Sequence, residues 1–339
     1  MKKIGIRDVA RAAGVSITTV SRALNGYDDV SASTKARIEE VVERLNYAPD
    51  TNARSLGGKA ENTIALLTSE LKETNESGFV YGLIRGLFQQ CTESECEFML
   101  LATDVARQKK LSFLQLCKKK NLNGVVATGF RTDDPYYHEI LNSDLPCAII
   151  DMEVWGKRKC NVTIDNIEAS RKAVKHLLEL GHREIVMLNG LKTASVSGQR
   201  YGGYVSALLE AGINLQLDYM RYCDFSEKIA YEETKKILRE YPRVTALFCA
   251  SDLMAFGAVR AIEELGMRIP EDISVIGFDD IPIASYISKG LSTIRQDPYL
   301  MGSEGGRAVF QMILGKEVDS KIVLPHQLIL RHTTGAAGK

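Results

Sequence analysis

The 339-residue sequence has no net charge, with 43 lysines and arginines against 43 aspartates and glutamates. It has no apolar run approaching the roughly 20 residues that a bilayer crossing needs; stretches such as 63–67 and 124–128 fall far short. Its seven cysteines (91, 96, 117, 147, 160, 223, 249) contain no CxxC pair, and its five histidines contain no HExxH. A disulfide scaffold is therefore excluded, the cysteines read as reduced and buried thiols, and neither a metal site nor a cofactor is expected. No signal peptide is expected either, because Arg7, Asp8 and Arg11 interrupt any apolar segment after Lys2-Lys3. That places the protein in the cytoplasm, away from membranes. The GxSxG, GxxxxGK[ST] and GxGxxG patterns are missing as well, and Asp279-Asp280 are neighbours in sequence with no inferred acid/base geometry. An enzyme is the least favoured class.

What is present is ordinary globular material, 45% apolar and 25% charged, long enough for two or three domains. The balance of charge is local rather than general. Residues 1–27 carry Lys2, Lys3, Arg7, Arg11 and Arg22 against Asp8 alone, a net of +4, whereas residues 61–339 carry 33 basic and 36 acidic side chains, a net of −3. A basic head on a faintly acidic body is the footprint of a chain that meets phosphate at one end.

In that head Ile6, Val9, Ala10 and Ala13 share a helical face, Gly14-Val15 breaks the pattern, and Ser16 can cap a second helix with Val20, Ala23 and Leu24 on its inner side. A third helix follows from Ser31, with Ile38, Val41, Val42 and Leu45 facing in. The second helix turns Ile17, Thr18, Thr19, Ser21, Arg22 and Asn25 away from this core. Arginine can bond both acceptors of a guanine, and small hydroxyl and amide groups reach phosphate oxygens or a thymine methyl. On periodicity alone, a plain amphipathic helix with a solvated polar face explains the pattern equally well.

From Asn62 onward, runs of strand length alternate with helical patterns: Thr63 to Thr68, then Val80 to Cys91; Phe98 to Ala102, then Arg107 to Lys119; then Gly124 to Thr128 and Cys147 to Asp151. A second series begins at Val162 and reaches Phe278. This is the pattern of parallel sheets covered by helices, in two half-bodies. Ligands of such sheets sit beyond the carboxyl ends of the strands. Those ends are marked here by Asp151, Ser251-Asp252 and Asp279-Asp280. Each aspartate alone reads more readily as a helix cap.

The segments Ile6 to Ala10, Gly14 to Asn25, Val30-Ser31, Leu45-Asn46-Tyr47 and Ala53-Arg54-Ser55-Leu56, followed by Leu180 to Arg183, Ser197 to Tyr204, Asp252 to Ile262, Ile276 to Asp280 and Thr293 to Asp297, resemble the LacI/GalR family of bacterial transcription regulators. The resemblance implies an all-α helix-turn-helix DNA-binding domain (1–48), a hinge-helix linker (49–60) and a two-lobed α/β domain of the type I periplasmic-binding-protein fold (61–335). The first lobe is expected at about 61–161 plus 292–318, the second at about 162–291 plus 319–335. The resemblance further implies base contacts from Ile17, Thr18 and Arg22, phosphate contacts from Thr19, Ser21 and Asn25, DNA contacts from Tyr47 and Arg54, and a minor-groove wedge at Leu56. It implies an effector cleft with Arg200 and Asp279 as its central pair, Phe225 and Phe79 as aromatics, and Asp151, Ser251 and Gln296 as further contacts. Asp50 stands where the family usually has asparagine, so operator affinity is expected to be lower or more salt-sensitive than the family norm, and Val80 stands where it often has phenylalanine, so the effector is expected to be smaller than, or turned differently from, a typical family sugar. His182, just past a helix-ending glycine, reads as structural. Together these make a homodimeric repressor of a carbohydrate operon, bound to a pseudo-palindromic double-stranded operator and controlled by a sugar or sugar derivative. The alternatives are a solute-binding protein without regulatory action and a regulator with a protein corepressor.

Overall fold

The computed structural model describes residues 4–24, 27, 29–45, 47, 62–69, 78–287 and 290–338. The chain divides into two compact units, 1–61 and 62–339. In the first unit α1 (Ile6–Ala13) begins where the Asp8 carboxylate accepts the Gly5 amide at 3.0 Å, and ends at Gly14, whose φ of 65° is the left-handed conformation open to glycine. Helix α2 (Ile17–Leu24) begins with Ser16 Oγ accepting the Thr19 amide at 3.0 Å, and α3 (Ala32–Leu45) with Ser31 Oγ accepting the Thr34 amide at 3.3 Å. Val9, Ala10, Ala13, Val20, Ile38 and Val41 close one small core. Tyr47, expected against DNA, is only 9% exposed and belongs to that core, since an aromatic ring just past α3 gains more apolar burial there than on a wet surface.

The second unit is built on two six-stranded sheets. The first holds β1 (Thr63–Ser69), β2 (Glu97–Thr103), β3 (Gly124–Thr128), β4 (Cys147–Ile150), β5 (Lys159–Ile164) and β11 (Lys321–Leu324), in the order β11-β5-β4-β3-β1-β2. The second holds β6 (Ile185–Asn189), β7 (Met220–Tyr222), β8 (Ala246–Cys249), β9 (Ser274–Asp279), β10 (Ser292–Arg295) and β12 (Gln327–Ile329), in the order β12-β10-β9-β8-β6-β7. All pairings are parallel except β10 with β12. Every residue of β1 and β3 is buried, as strands covered on both faces require. Ile64 and Leu66 face one core, and Ala65 and Leu67, on the opposite pleat, face another.

The covering helices are α4 (Phe79–Glu93), α5 (Val105–Lys110), α6 (Phe113–Lys119), α7 (Pro135–Asn142), α8 (Asn166–Glu179), α9 (Ser195–Glu210), α10 (Glu227–Glu240), α11 (Asp252–Glu264) and α12 (Pro298–Ile313). Arg107 to Lys119, expected as one helix, is broken because Ser112 starts a new one: its Oγ accepts the Gln115 amide while its own amide donates to Gln115 Oε1, both at 3.2 Å. Helices α4 and α12 cross so closely that a Cβ on Gly86 would lie 1.9 Å from the Tyr299 carbonyl oxygen.

The exchange between sheets differs from the expected division. Residues 159–164, cut by a boundary at 161, form one strand of the first sheet, and β10, expected with the first lobe, lies in the second sheet between β9 and β12. Strand β11, expected with the second lobe, pairs with β5 in the first. A buried apolar run carries no mark of which sheet will bury it. The chain therefore crosses between lobes three times, after β5, after β10 and after β11. The C-terminal segment is docked rather than loose. Thr333 is fully buried and receives the Ser292 amide on its Oγ1 at 2.8 Å, and the buried His182 presents Nε2 to the Gly335 carbonyl at 3.0 Å and Nδ1 to Thr245 Oγ1 at 2.9 Å. Burial holds this imidazole below its ordinary pKa, and its contacts agree with a structural role.

Candidate functional site

Parallel strands end in loops whose backbone groups are not used by the sheet, so polar side chains gather there. A cavity of about 280 Å³ lies at the carboxyl ends of both sheets and is lined by all seven residues expected in the cleft: Phe79, Asp151, Arg200, Phe225, Ser251, Asp279 and Gln296. Val80 lines it too, beside Phe79.

Arg200, on α9, is 3% exposed. Its Nε donates to Asn166 Oδ1 at 2.9 Å and its Nη1 to the Ala250 carbonyl at 2.6 Å, and its Cζ stands 3.7 Å from the centroid of the Phe278 ring. Asn166 in turn donates to Thr163 Oγ1 at 3.3 Å, and Thr163 Oγ1 donates to Asp151 Oδ1 at 2.6 Å. A buried relay thus runs from the end of β4 in one lobe to α9 in the other. Burial pulls the Arg200 pKa down, opposed by Asp279 and Asp151, and burial pushes Asp151 up against the pull of Arg200. Asp279 is pushed up to about 6 by burial, with Arg200 and the hydrogen bond from Gln296 pulling the other way. Gln296 Nε2 donates to Asp279 Oδ1 at 2.7 Å, which leaves the buried Gln296 Oε1 without a hydrogen-bond partner among the described residues.

Asp252, next to Ser251, is fully buried and takes Thr293 Oγ1 on one oxygen at 2.6 Å and the Ile281 amide on the other at 2.9 Å. It ties strand ends together and does not line the cavity. Ser251 serves twice, lining the cavity and capping α11 by accepting the Met254 amide at 3.3 Å. Phe225 reaches its place through a backbone in the left-handed region, φ 56°, and through a gap at Gly190, where a Cβ would stand 2.0 Å from its ring. Asp151 (φ 59°), Asp224 (φ 52°) and Asp279 (φ 115°) share that region. Half of the eight non-glycine residues with positive φ among the described residues line this one cavity. Backbone strain of this kind collects where ligands are held.

Phe130, Arg131, Asp224, Thr68 and Thr128 also line the cavity and were not expected. Gly129, directly after the run Gly124–Thr128, is a turn signal that could have pointed to Phe130 and Arg131. Nothing in the sequence marks Asn166. The described residues hold no group of three or more metal-ligating side chains and no helix long and apolar enough to cross a membrane.

On the head, Ile17 is 44% exposed on α2, Thr18 and Arg22 are exposed, and Thr19 and Ser21 are half-buried. Thr19 Oγ1 shares a hydrogen bond with Ser16 Oγ at 2.8 Å. Arg22 is paired with Asp29. Asn25, Arg54 and Leu56 lie outside the described residues.

Two family models match the chain: bacterial regulatory proteins, lacI family, over residues 5–50, and periplasmic binding protein-like domain over residues 174–334. The HTH-type transcriptional regulator DegA of Bacillus subtilis is 33% identical over 338 residues, 98% of each chain. Among solved structures, the lac repressor dimer bound to operator and the anti-inducer ONPF is similar at 28% identity and a TM-score of 0.86, covering 99% of this chain and all of that one. A complex of the transcriptional regulator CelR with cellobiose is similar at 28% identity and a TM-score of 0.74, covering 97% and 99%.

Proposed function

The chain belongs to the lacI family of bacterial regulatory proteins and is a DNA-binding transcriptional regulator of the helix-turn-helix type, and from that premise we propose that it is a cytoplasmic, homodimeric repressor of a carbohydrate operon whose grip on its operator is set by a sugar or sugar derivative in the cavity. The observation that carries the effector site is the convergence of Asp151, Arg200, Asp279 and Gln296 on one cavity between the lobes. Carboxylate and amide oxygens accept hydroxyl hydrogens, arginine donates to ring or hydroxyl oxygens, and Phe79, Phe130 and Phe225 offer apolar faces to a ring. The volume, at the small end for ligand sites, suits a single ring better than a long chain.

In this reading Ile17, Thr18 and Arg22 read bases in the major groove, while Thr19 and Ser21 meet phosphates. Exposed Tyr81 and Phe88 on α4, with Leu100 on the neighbouring edge strand β2, give the apolar face that a second copy would cover. The effector acts by linkage: it changes operator affinity only as far as it prefers one lobe arrangement over the other, and operator changes effector affinity by the same factor.

The test is a thermal-shift screen of neutral, acidic and phosphorylated monosaccharides and of cellobiose on the full chain, followed by anisotropy titration of a pseudo-palindromic duplex enriched by the protein from a randomised pool. A sugar that raises the melting temperature and shifts duplex affinity, with the reciprocal shift in sugar affinity, supports the reading. A sugar that binds and leaves duplex affinity untouched would make the body a solute trap, and one consumed on incubation would make it an enzyme.

A further inference from the structure

Arg22 is held on two sides. Its Nε donates to Asp29 Oδ1 at 3.1 Å, and its Nη2 stands 2.5 Å from Asp29 Oδ2. Its Cζ also stands over the ring of Tyr27, 5.0 Å from the ring centroid. A guanidinium has five N–H donors in two useful forks. The carboxylate takes the side-on fork, made by Nε and Nη2. The end-on fork, made by Nη1 and the remaining hydrogen of Nη2, is not engaged by it, and that fork can span O6 and N7 of a guanine.

We propose that Asp29 is a specificity-determining positioning residue that grips Arg22 from the side and so presents its end-on fork, ready oriented, to a guanine of the operator. This rests on the reading of Arg22 as a base contact. A stabilising role does not explain the pair: both side chains are about half exposed, 46% and 51%, and exposed ion pairs contribute little to a fold. Nor does affinity explain it. A carboxylate on the nucleic-acid side of a head whose first 27 residues carry a net +4 repels phosphate, so by itself it weakens binding to every duplex. Orientation is what the geometry supplies. An unheld arginine surrenders its rotamer freedom when it docks, and one already held by the Asp29 carboxylate and the Tyr27 ring surrenders less. The benefit is confined to duplexes that offer a guanine at the right place, so it appears as discrimination and not as overall affinity.

The test uses the full chain, the duplex it enriches from a randomised pool, and the same duplex with the G·C pair that Arg22 reads replaced by A·T. That pair is located as the position where Arg22→Ala loses preference. Wild type is expected to prefer guanine by roughly ten- to hundredfold. Asp29→Ala and Asp29→Asn are expected to cut this ratio by roughly fivefold or more while binding to an unrelated duplex stays level or tightens. Asp29→Glu, which restores the carboxylate, is expected to recover part of the ratio. Equal tightening on all three duplexes with the ratio intact overturns the proposal and leaves Asp29 as a charge alone. An Arg22→Ala chain that keeps every base preference overturns instead the reading on which the proposal rests.

Discussion

Asp279 illustrates how a single side chain can be kept at a cost to the fold. Its carboxyl, ordinarily near 3.8, is raised to about 6 in the folded chain, so between those values the folded state binds protons that the unfolded state has released, and stability falls as pH rises through that window. Asp279→Asn cannot ionise and escapes this slope. Its stability relative to wild type is therefore expected to improve from pH 4 to pH 7, by at most about 3 kcal/mol and by less where cavity water and the loss of a partner for Arg200 intervene. Urea unfolding of both chains at the two pH values measures it; a difference independent of pH would refute the assignment. The same variant is expected to lose the sugar-induced thermal shift. Asp151, Arg200, Asp279 and Gln296 were legible in the sequence because strand ends and the family motif mark them. Asn166 was not, since an amide on the first turn of a helix looks like any other until Arg200 and Thr163 are seen on either side of it. Tyr47 shows what packing adds to a sequence reading: its chemistry suits DNA, and only the structure reveals that its ring also belongs to the core of the head.

Among elements, glycines separate two kinds of helix position. Gly86 lies where α4 and α12 touch backbone to backbone, and a methyl group there would meet the Tyr299 carbonyl and the Ser303 amide. Gly86→Ala is expected to destabilise by roughly 1–3 kcal/mol or more, because two helices must part. Gly198 lies in α9 with no atom within 4 Å of its would-be Cβ apart from its chain neighbours and the nearby backbone of its own helix. Gly198→Ala is expected to stabilise by roughly 0.5–1 kcal/mol. Calorimetric melting temperatures that move in opposite directions would bear out both; a drop in both would mean that α9 also packs through its glycine. Helices and strands with strong periodicity were legible along most of the body. The break at Ser112 was missed because the apolar spacing runs on across it, and the swap of β10 and β11 between sheets was missed because pairing is a property of neighbours distant in sequence. The docked C-terminus was hidden in a tail of small residues, whose hydroxyls and carbonyls have meaning only beside His182, Ser274 and Ser292.

For the molecule as a whole, the two cores of residues 62–339 are independent of the core of the head. Removal of residues 1–60 is expected to leave a folded body that keeps its sugar-induced thermal shift and loses duplex binding; anisotropy and thermal shift on the same preparation decide this, and retained duplex affinity would place the DNA site elsewhere. The three crossings between lobes have a mechanical consequence. The strand register sets Ile164 beside Leu324 and Arg295 beside Gln327, so all three links pass one place on the rim. Bodies joined along one short seam keep a pivot and lose translation: the lobes can open like the covers of a book but cannot slide or drift apart. Gln296 sits in that spine. A residue at the spine travels least as the covers move, so if the proposed effector sits in the cavity, Gln296 would meet it alike in either position and any preference for one position would fall to the residues at the fore-edge.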